Sequence, residues 1–312
     1  MPFLFHLYGL SYKERFNSLD DVNYEYKVRA IGSNISLDRF YSNIDPVSVI
    51  NELIDISKPI KDDKTIFVWP EGILPNVSQE ELIEFKWLFE DVFSKNHLLF
   101  IGINSQKINK EKIDYFNSLS IYDYNLEILN LYNKINLVPF GEFLPLENIL
   151  KKFGLSVITN NYQSFSNGDD RKIIEIKRDN FSLKILPLIC YEIIYSGKIF
   201  KNSSFDLIIN ISEDGWFGSS IGPKQHFAHS IFRAVESGKY LLRSANNGIT
   251  AIVNPLGIVE QKVEYSESGY VDFKKAKKIQ PTLFSKYGNK IFITLILLYI
   301  FLIFSFNRNK NE

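Results

Sequence analysis

What most restricts the fold of this chain is an alternation. Short apolar runs at 28–35, 65–69, 98–103, 183–189, 205–211, 240–244 and 249–253 predict strands. Between them, 47–57, 78–92 and 226–237 carry helical patterns. The best defined is 78–92, where Ser78 and Glu81 have capping-box spacing and Leu82, Phe85, Leu88, Phe89 and Val92 keep one apolar face. Residues 115–131 read as a hairpin turning at 123–125, and Asn246-Asn247-Gly248 as a turn between two strands. Strands alternating with helices in this way build an α/β domain.

Composition permits a large core and narrows the partners. The 312 residues are 45% hydrophobic and 23% charged, enough for one sizeable domain or two small ones. Thirty-six basic residues balance thirty-six acidic ones, so no excess charge argues for nucleic acid. A single cysteine forms no internal disulfide and leaves the redox compartment open.

The two ends differ from the middle. Residues 1–10 are apolar and aromatic but far short of the roughly 20 needed to cross a bilayer. They lack the basic start and small-residue cleavage site of a signal peptide. We expect 1–27 to be the remnant of a transmembrane segment and a polar linker. Residues 291–306 carry no charge, and only Thr294 and Ser305 are clearly polar, which predicts one transmembrane helix inside a terminal region 281–312. Six lysines from Lys274 to Lys290 precede it, against Arg308 and Lys310 after it. That count alone would keep the large domain, 28–280, in the cytoplasm.

Four residues are candidates for chemistry. Cys190 ends an apolar strand, the position where reacting groups gather in α/β sheets, although a free cysteine is also an ordinary small buried residue. Glu71 follows Val-Trp-Pro at another strand end, where an exposed loop carboxylate is the plain alternative. Lys134 is a lone cation among apolar neighbours, or a snorkelling side chain. Glu142 lies between Pro139 and Pro145 in a loop stiffened by both. A cysteine nucleophile needs a base to form thiolate and a donor to hold the oxyanion, and a glutamate and a lysine supply both without histidine. His226 and His229, three apart on one helix, are a weak metal pair and receive no metal assignment.

The blocks Val-Trp-Pro-Glu at 68–71, Tyr-Asn-Lys at 132–134, Leu-Val-Pro-Phe-Gly-Glu at 137–142 and Ile-Cys-Tyr-Glu at 189–192 resemble the nitrilase superfamily. They look most like its membrane branch, the apolipoprotein N-acyltransferases. Asp214-Gly215-Trp216-Phe217-Gly218, Gly222-Pro223 with Gln225-His226, and Arg243-Ser244 with Asn246-Asn247-Gly248 continue the likeness in order. The resemblance implies a nitrilase-like α-β-β-α sandwich followed by one C-terminal transmembrane helix. It implies Glu71 as general base, Lys134 as oxyanion stabiliser, Cys190 as nucleophile and Glu142 as the glutamate that orients the lysine. Tyr191, Glu192 and Trp216 fall on supporting or substrate-binding positions.

The reaction it implies is ping-pong acyl transfer from a phospholipid, through a cysteine thioester, to the α-amine of a diacylglyceryl lipoprotein, with no metal or organic cofactor. It places the chain in the bacterial inner membrane with the catalytic domain on the periplasmic side. The family's preceding helical bundle is not in this sequence, so a truncated or split gene product is the expectation. An amidase or nitrilase acting on a small amide, or an inactive remnant, are the rival readings. Asn136 stands where the family usually has histidine, Glu213 where it has asparagine, and Gly72-Ile73 where it has a small polar residue and alanine.

Overall fold

The computed structural model describes residues 2–42, 44–109, 112–146, 164–178, 181–197 and 204–308. After helix α1 (Pro2–Asn17), strand β1 (Val22–Gly32) leads to helix α2 (Pro46–Ser57), strand β2 (Thr65–Val68) and the short helix α3 (Lys86–Glu90). Strands β3 (His97–Asn109), β4 (Lys112–Asp123), β5 (Ile128–Asn133), β6 (Ile174–Arg178), β7 (Phe181–Ile189) and β8 (Leu207–Glu213) follow. Helix α4 (Gly222–Ser237) precedes strands β9 (Tyr240–Asn246), β10 (Thr250–Val253), β11 (Val259–Val263) and β12 (Gly269–Ala276), and helices α5 (Leu283–Tyr287) and α6 (Lys290–Arg308) close the chain.

The strands form two six-stranded sheets with matching plans. One runs β12-β1-β2-β3-β4-β5, the other β11-β10-β9-β8-β7-β6. In each, three consecutive strands are parallel, β1 to β3 and β7 to β9, and the remaining pairings are antiparallel. Successive strand side chains alternate faces, and this period of two sorts the core into layers. On β2, Ile66 and Val68 enter the cluster between the sheets, whereas Phe67 and Trp69 enter the one beneath α2 and α3. On β8, Leu207, Ile209 and Ile211 face the other sheet while Ile208 faces α4. The result is helix, sheet, sheet, helix, as expected.

Local chemistry explains the boundaries. Asp45 caps α2 by accepting from the Val47 amide at 3.0 Å, Pro46 sits in the first turn, and Lys58 ends the helix in a left-handed conformation. The capping box at Ser78 and Glu81 forms, with its two bonds at 2.8 and 3.3 Å. It does not open one helix over 78–92. The Gln79 amide is held by the Asn104 carbonyl of β3 at 2.7 Å, and the chain enters as a 3-10 turn, Glu81–Phe85, before α3. The expected linker is also corrected. Tyr24 and Tyr26 point inward between Asn23, Glu25 and Lys27, so β1 begins at Val22.

The terminal helix falls where the apolar run predicts, and its large side chains from Phe292 to Phe306 are exposed. Among the described residues, no helix is long and apolar enough to cross a membrane. At the other end, α1 docks by its second half: Phe16 is buried and the Tyr12 hydroxyl donates to the Gln280 carbonyl at 3.2 Å.

The carboxyl ends of the parallel strands are stitched across the two sheets. The fully buried Ser244 hydroxyl of β9 lies 2.7 Å from the Ile31 carbonyl and 3.0 Å from that of Val68. Asn246 Oδ1 accepts from the Ser33 hydroxyl at 2.6 Å and the Ile35 amide at 2.9 Å. Ser244→Ala is therefore expected to lower the unfolding free energy by about 1–2 kcal/mol, because a buried donor between sheets is lost. Urea denaturation of both proteins measures this; an unchanged midpoint would contradict it.

Candidate active site

Three of the four sequence-predicted catalytic candidates stand just beyond the end of a strand, and the fourth, Glu142, sits in the loop that follows β5. Glu71 follows β2, Lys134 follows β5, and Cys190 follows β7. The Glu71 turn lies directly on β3. A Cβ at Gly102 would come within 2.2 Å of the Pro70 carbonyl oxygen and 2.5 Å of Glu71 Cα, so only glycine permits this approach. Glu142 sits in a compact loop closed by its own amide donating to the Val138 carbonyl at 2.8 Å. Cys190 begins the 3-10 turn Cys190–Ile194 with φ of 45°, a left-handed conformation that costs a non-glycine residue about 1–3 kcal/mol. Such a turn lifts the thiol off the strand axis.

At the centre is Lys134, 1% exposed. Its ammonium donates to Glu71 Oε1 at 3.0 Å and to Glu142 Oε1 at 2.9 Å. The same two oxygens each accept from Asn117 Nδ2 at 2.7 Å. Glu71 Oε2 is held by the Glu213 amide at 2.9 Å, and Glu142 Oε2 by the Val138 amide at 2.8 Å. Both carboxylates are thus fixed at both oxygens. Burial alone would depress the lysine, but Glu142 and Glu71 outweigh it and hold the ammonium well above its ordinary value. Burial also pushes the Cys190 thiol well up, the Glu71 charge adds to that, and Lys134 pulls back. A resting thiol therefore keeps its proton until a neighbouring base accepts it.

Glu192 has a structural office. Wholly buried, it accepts from the Tyr132 hydroxyl at 2.9 Å, the Ile135 and Asn136 amides at 3.0 and 3.2 Å, Arg171 Nη2 at 2.7 Å and the Ile189 amide at 2.9 Å. One carboxylate thereby ties the segment carrying Lys134, in one sheet, to the turn carrying Cys190, in the other. Tyr191 and Trp216 line the cavity, and Trp216 packs at a tilt against Phe40 with ring centroids 4.8 Å apart.

A second polar cluster lies beneath the cysteine, built on Asp214, His226 and Arg243, which the sequence places in family-like blocks without assigning them a joint role. Asp214 accepts from Arg243 Nη2 at 2.6 Å and from Ser212 at 2.8 Å, and His226 Nδ1 lies 2.9 Å away. Burial opposes this charge, yet Arg243 and His226 hold the Asp214 carboxyl down to about 2. His226 Nε2 is 3.2 Å from the Cys190 carbonyl and braces the turn. Glu213 is buried and paired with Arg39, and burial raises its carboxyl. The overlooked signal is polar residues in stretches too apolar to leave them solvated: Asn117 within β4, Arg243 within β9 and Asp214 just beyond β8.

Glu71, Lys134, Glu142 and Cys190 line one cavity of about 570 Å³, with Val138, Ile194 and Phe217 among its apolar walls. The set can take a thiol proton, stabilise an oxyanion and hold an acyl group on sulfur. Lys134 has three N–H bonds, two of them directed at carboxylates, which leaves one for a developing oxyanion.

Comparison with known proteins agrees with the fold. Residues 52–272 match the carbon-nitrogen hydrolase family. The chain is 36% identical over 249 residues to an apolipoprotein N-acyltransferase of Rickettsia prowazekii, covering 77% of this chain and 49% of that protein. It is 40% identical over 204 residues to the Rickettsia bellii protein of the same name, covering 65% and 40%. The chain spans about half the length of the curated relatives it matches. Among solved structures, Saccharomyces cerevisiae Nit3 superposes with a TM-score of 0.52 at 16% identity, covering 80% of this chain and 90% of that one. The glutamine-dependent NAD+ synthetase of Acinetobacter baumannii gives 0.55 at 12%, covering 84% and 48%. Identities this low speak to the fold alone.

Because Cys190 is the sole thiol, its ionisation can be followed without background. Glu71→Gln removes a negative charge that raises the thiol, so the pH profile of alkylation by iodoacetamide is expected to move to lower pH. A profile that stays in place or moves upward would contradict the electrostatics described above.

Proposed function

The chain belongs to the carbon-nitrogen hydrolase family, and from that premise we propose that it is an N-acyltransferase acting through a cysteine thioester. The relatives' name, apolipoprotein N-acyltransferase, supports an apolipoprotein nitrogen as acceptor; in our reading that is the α-amine of a diacylglyceryl lipoprotein, and the donor is a phospholipid acyl ester. The observation that carries this reading is one cavity of about 570 Å³ in which the buried Glu71, Lys134 and Cys190 share the lining with apolar walls that include Val138, Ile194 and Phe217. A small amide needs no such walls.

Glu71 takes the thiol proton as Cys190 Sγ attacks the ester carbonyl. Lys134 donates its remaining N–H to the oxyanion, while Glu142 and Asn117 keep Lys134 and Glu71 in register. Collapse of the intermediate breaks the ester C–O bond, and Glu71 returns its proton to the departing lysophospholipid oxygen. The acyl group is then a thioester, and the amine displaces it, forming the amide and restoring the thiol. Tyr191 and Trp216 line the substrate cavity, and Glu192 positions the two halves of the site. No step calls for a metal or organic cofactor.

The proposal extends to location. Residues 28–280, with β1 starting slightly earlier, form the catalytic domain, and 281–312 the anchoring region. Helix α6 has 19 residues, about 28 Å at 1.5 Å per residue, against a hydrocarbon core of about 30 Å. Phe292, Leu297, Phe301 and Phe304 are each more than half exposed, a surface suited to lipid. Within its described residues α6 falls short of a span; we propose that, with the residues flanking it at the interface, it seats in the bacterial inner membrane as the C-terminal transmembrane helix, with the domain on the periplasmic side.

Intact mass of the detergent-solubilised protein after incubation with phosphatidylethanolamine tests the reading. The wild type is expected to gain one fatty acyl mass that neutral hydroxylamine removes, and Cys190→Ala to gain none. A folded wild-type protein that stays unmodified, or an adduct that persists in Cys190→Ala, would overturn it.

A further inference from the structure

A second hollow, of about 50 Å³, meets the first at Glu71, Glu142, Glu213 and Trp216. It touches Asn104, Asn117 and Phe165, none of which lines the main cavity; Cys190 and Lys134 line the main cavity and not this hollow. Its volume suits one or two waters, each taking roughly 30 Å³. Asn104 and Phe165 are shared with a third hollow of about 210 Å³, lined also by Ser78, Gln106 and the exposed Asn76 and Glu81. Shared lining residues connect the three hollows in series, from the exposed Asn76 and Glu81 to the two carboxylates.

The inner end of this path carries an unpartnered acceptor. Asn117 is only 6% exposed, its amide nitrogen serves both glutamates, and its Oδ1 has no hydrogen-bond partner. A buried carbonyl oxygen left alone costs about 1–3 kcal/mol, and an ordered water donating to it removes that cost.

Proton balance gives such a path a use. Forming the thioester is neutral: ester plus thiol gives thioester plus alcohol, and the proton Glu71 takes from sulfur leaves on the lysolipid oxygen. The second half-reaction is not neutral when the acceptor arrives as an ammonium. Thioester plus R–NH₃⁺ gives amide plus thiol plus one H⁺. That proton must leave a cavity whose front is filled by acyl chain.

We infer that the passage through Asn104 and Phe165 is a water-filled proton exit, running from Glu71 past Asn117 Oδ1 to the surface. This rests on the acyl-transfer reading and assigns the ordered water chain as the ligand of the rear hollows. Cys190 lines neither rear hollow, so the passage drains protons without opening directly onto sulfur.

Asn104→Leu places an apolar side chain at the constriction, and Asn104→Ser leaves it open and polar. Two single-turnover rates are read on the full-length, detergent-solubilised protein. The first is acylation by phosphatidylethanolamine; the second is transfer of the bound acyl group to a synthetic S-diacylglyceryl-cysteine peptide. Asn104→Leu is expected to acylate at the wild-type rate but to transfer about tenfold more slowly at pH values below the acceptor amine's own pKa of about 8. The gap should close above that pH, where the amine arrives neutral, and Asn104→Ser should match the wild type throughout. Equal transfer rates in all three proteins, or a deficit that ignores pH, would overturn the proton exit while leaving the acyltransferase standing. Absence of an acyl-enzyme in the wild type would overturn the acyltransferase reading and the exit with it.

Discussion

The site depends on one buried cation shared by two carboxylates. Placing Lys134, Glu71 and Glu142 out of water costs several kcal/mol per ion, and only close pairing with full hydrogen bonding recovers it. The structure meets this condition with four held carboxylate oxygens: two by Lys134 and Asn117 together, one each by the Glu213 and Val138 amides. Loss of one partner from such a set costs about 3–5 kcal/mol, because the others are left charged and dry. The same rigidity suits catalysis, since the groups need no reorganisation as charge develops.

That ionic set must face a thiol carried by the opposite sheet. Two sheets of the same plan pack face to face, and the parallel strands of each point their carboxyl ends to one side. Glu71 and Lys134 come from one sheet, Cys190 from the other, and Glu192 is the tie between them. Ser244 and Asn246 make the corresponding tie on the Glu71 side. A side chain remote from sulfur can therefore set the separation of base, cation and nucleophile.

Much of this was legible because the fold obeys simple periods. Alternating apolar strands point to the α/β architecture, and Glu71, Lys134 and Cys190 at strand ends and Glu142 in a loop all line one cavity. What escaped were consequences of the third dimension. Asn117 sits mid-strand, and nothing local marks it as the bridge between glutamates contributed by residues 46 and 25 positions away. Arg39 and Glu213, separated by 174 positions, meet only when the sheets close. The 78–92 helix was read from its capping box, but tertiary hydrogen bonding of Gln79 to β3 overrode the local preference. Likewise the Tyr24 and Tyr26 alternation was outvoted by the polar residues between them.

The most direct test of the account isolates the Lys134 ammonium from the stability of the site. Lys134→Met with Glu142→Gln keeps the net charge of the buried set unchanged, so the fold can be retained while the oxyanion donor is removed. Single-turnover acylation of Cys190 by phosphatidylethanolamine should then fall by roughly 10²–10³ in a protein with a wild-type near-ultraviolet circular dichroism spectrum. Acylation at the wild-type rate in that folded double variant would contradict the central role given to Lys134.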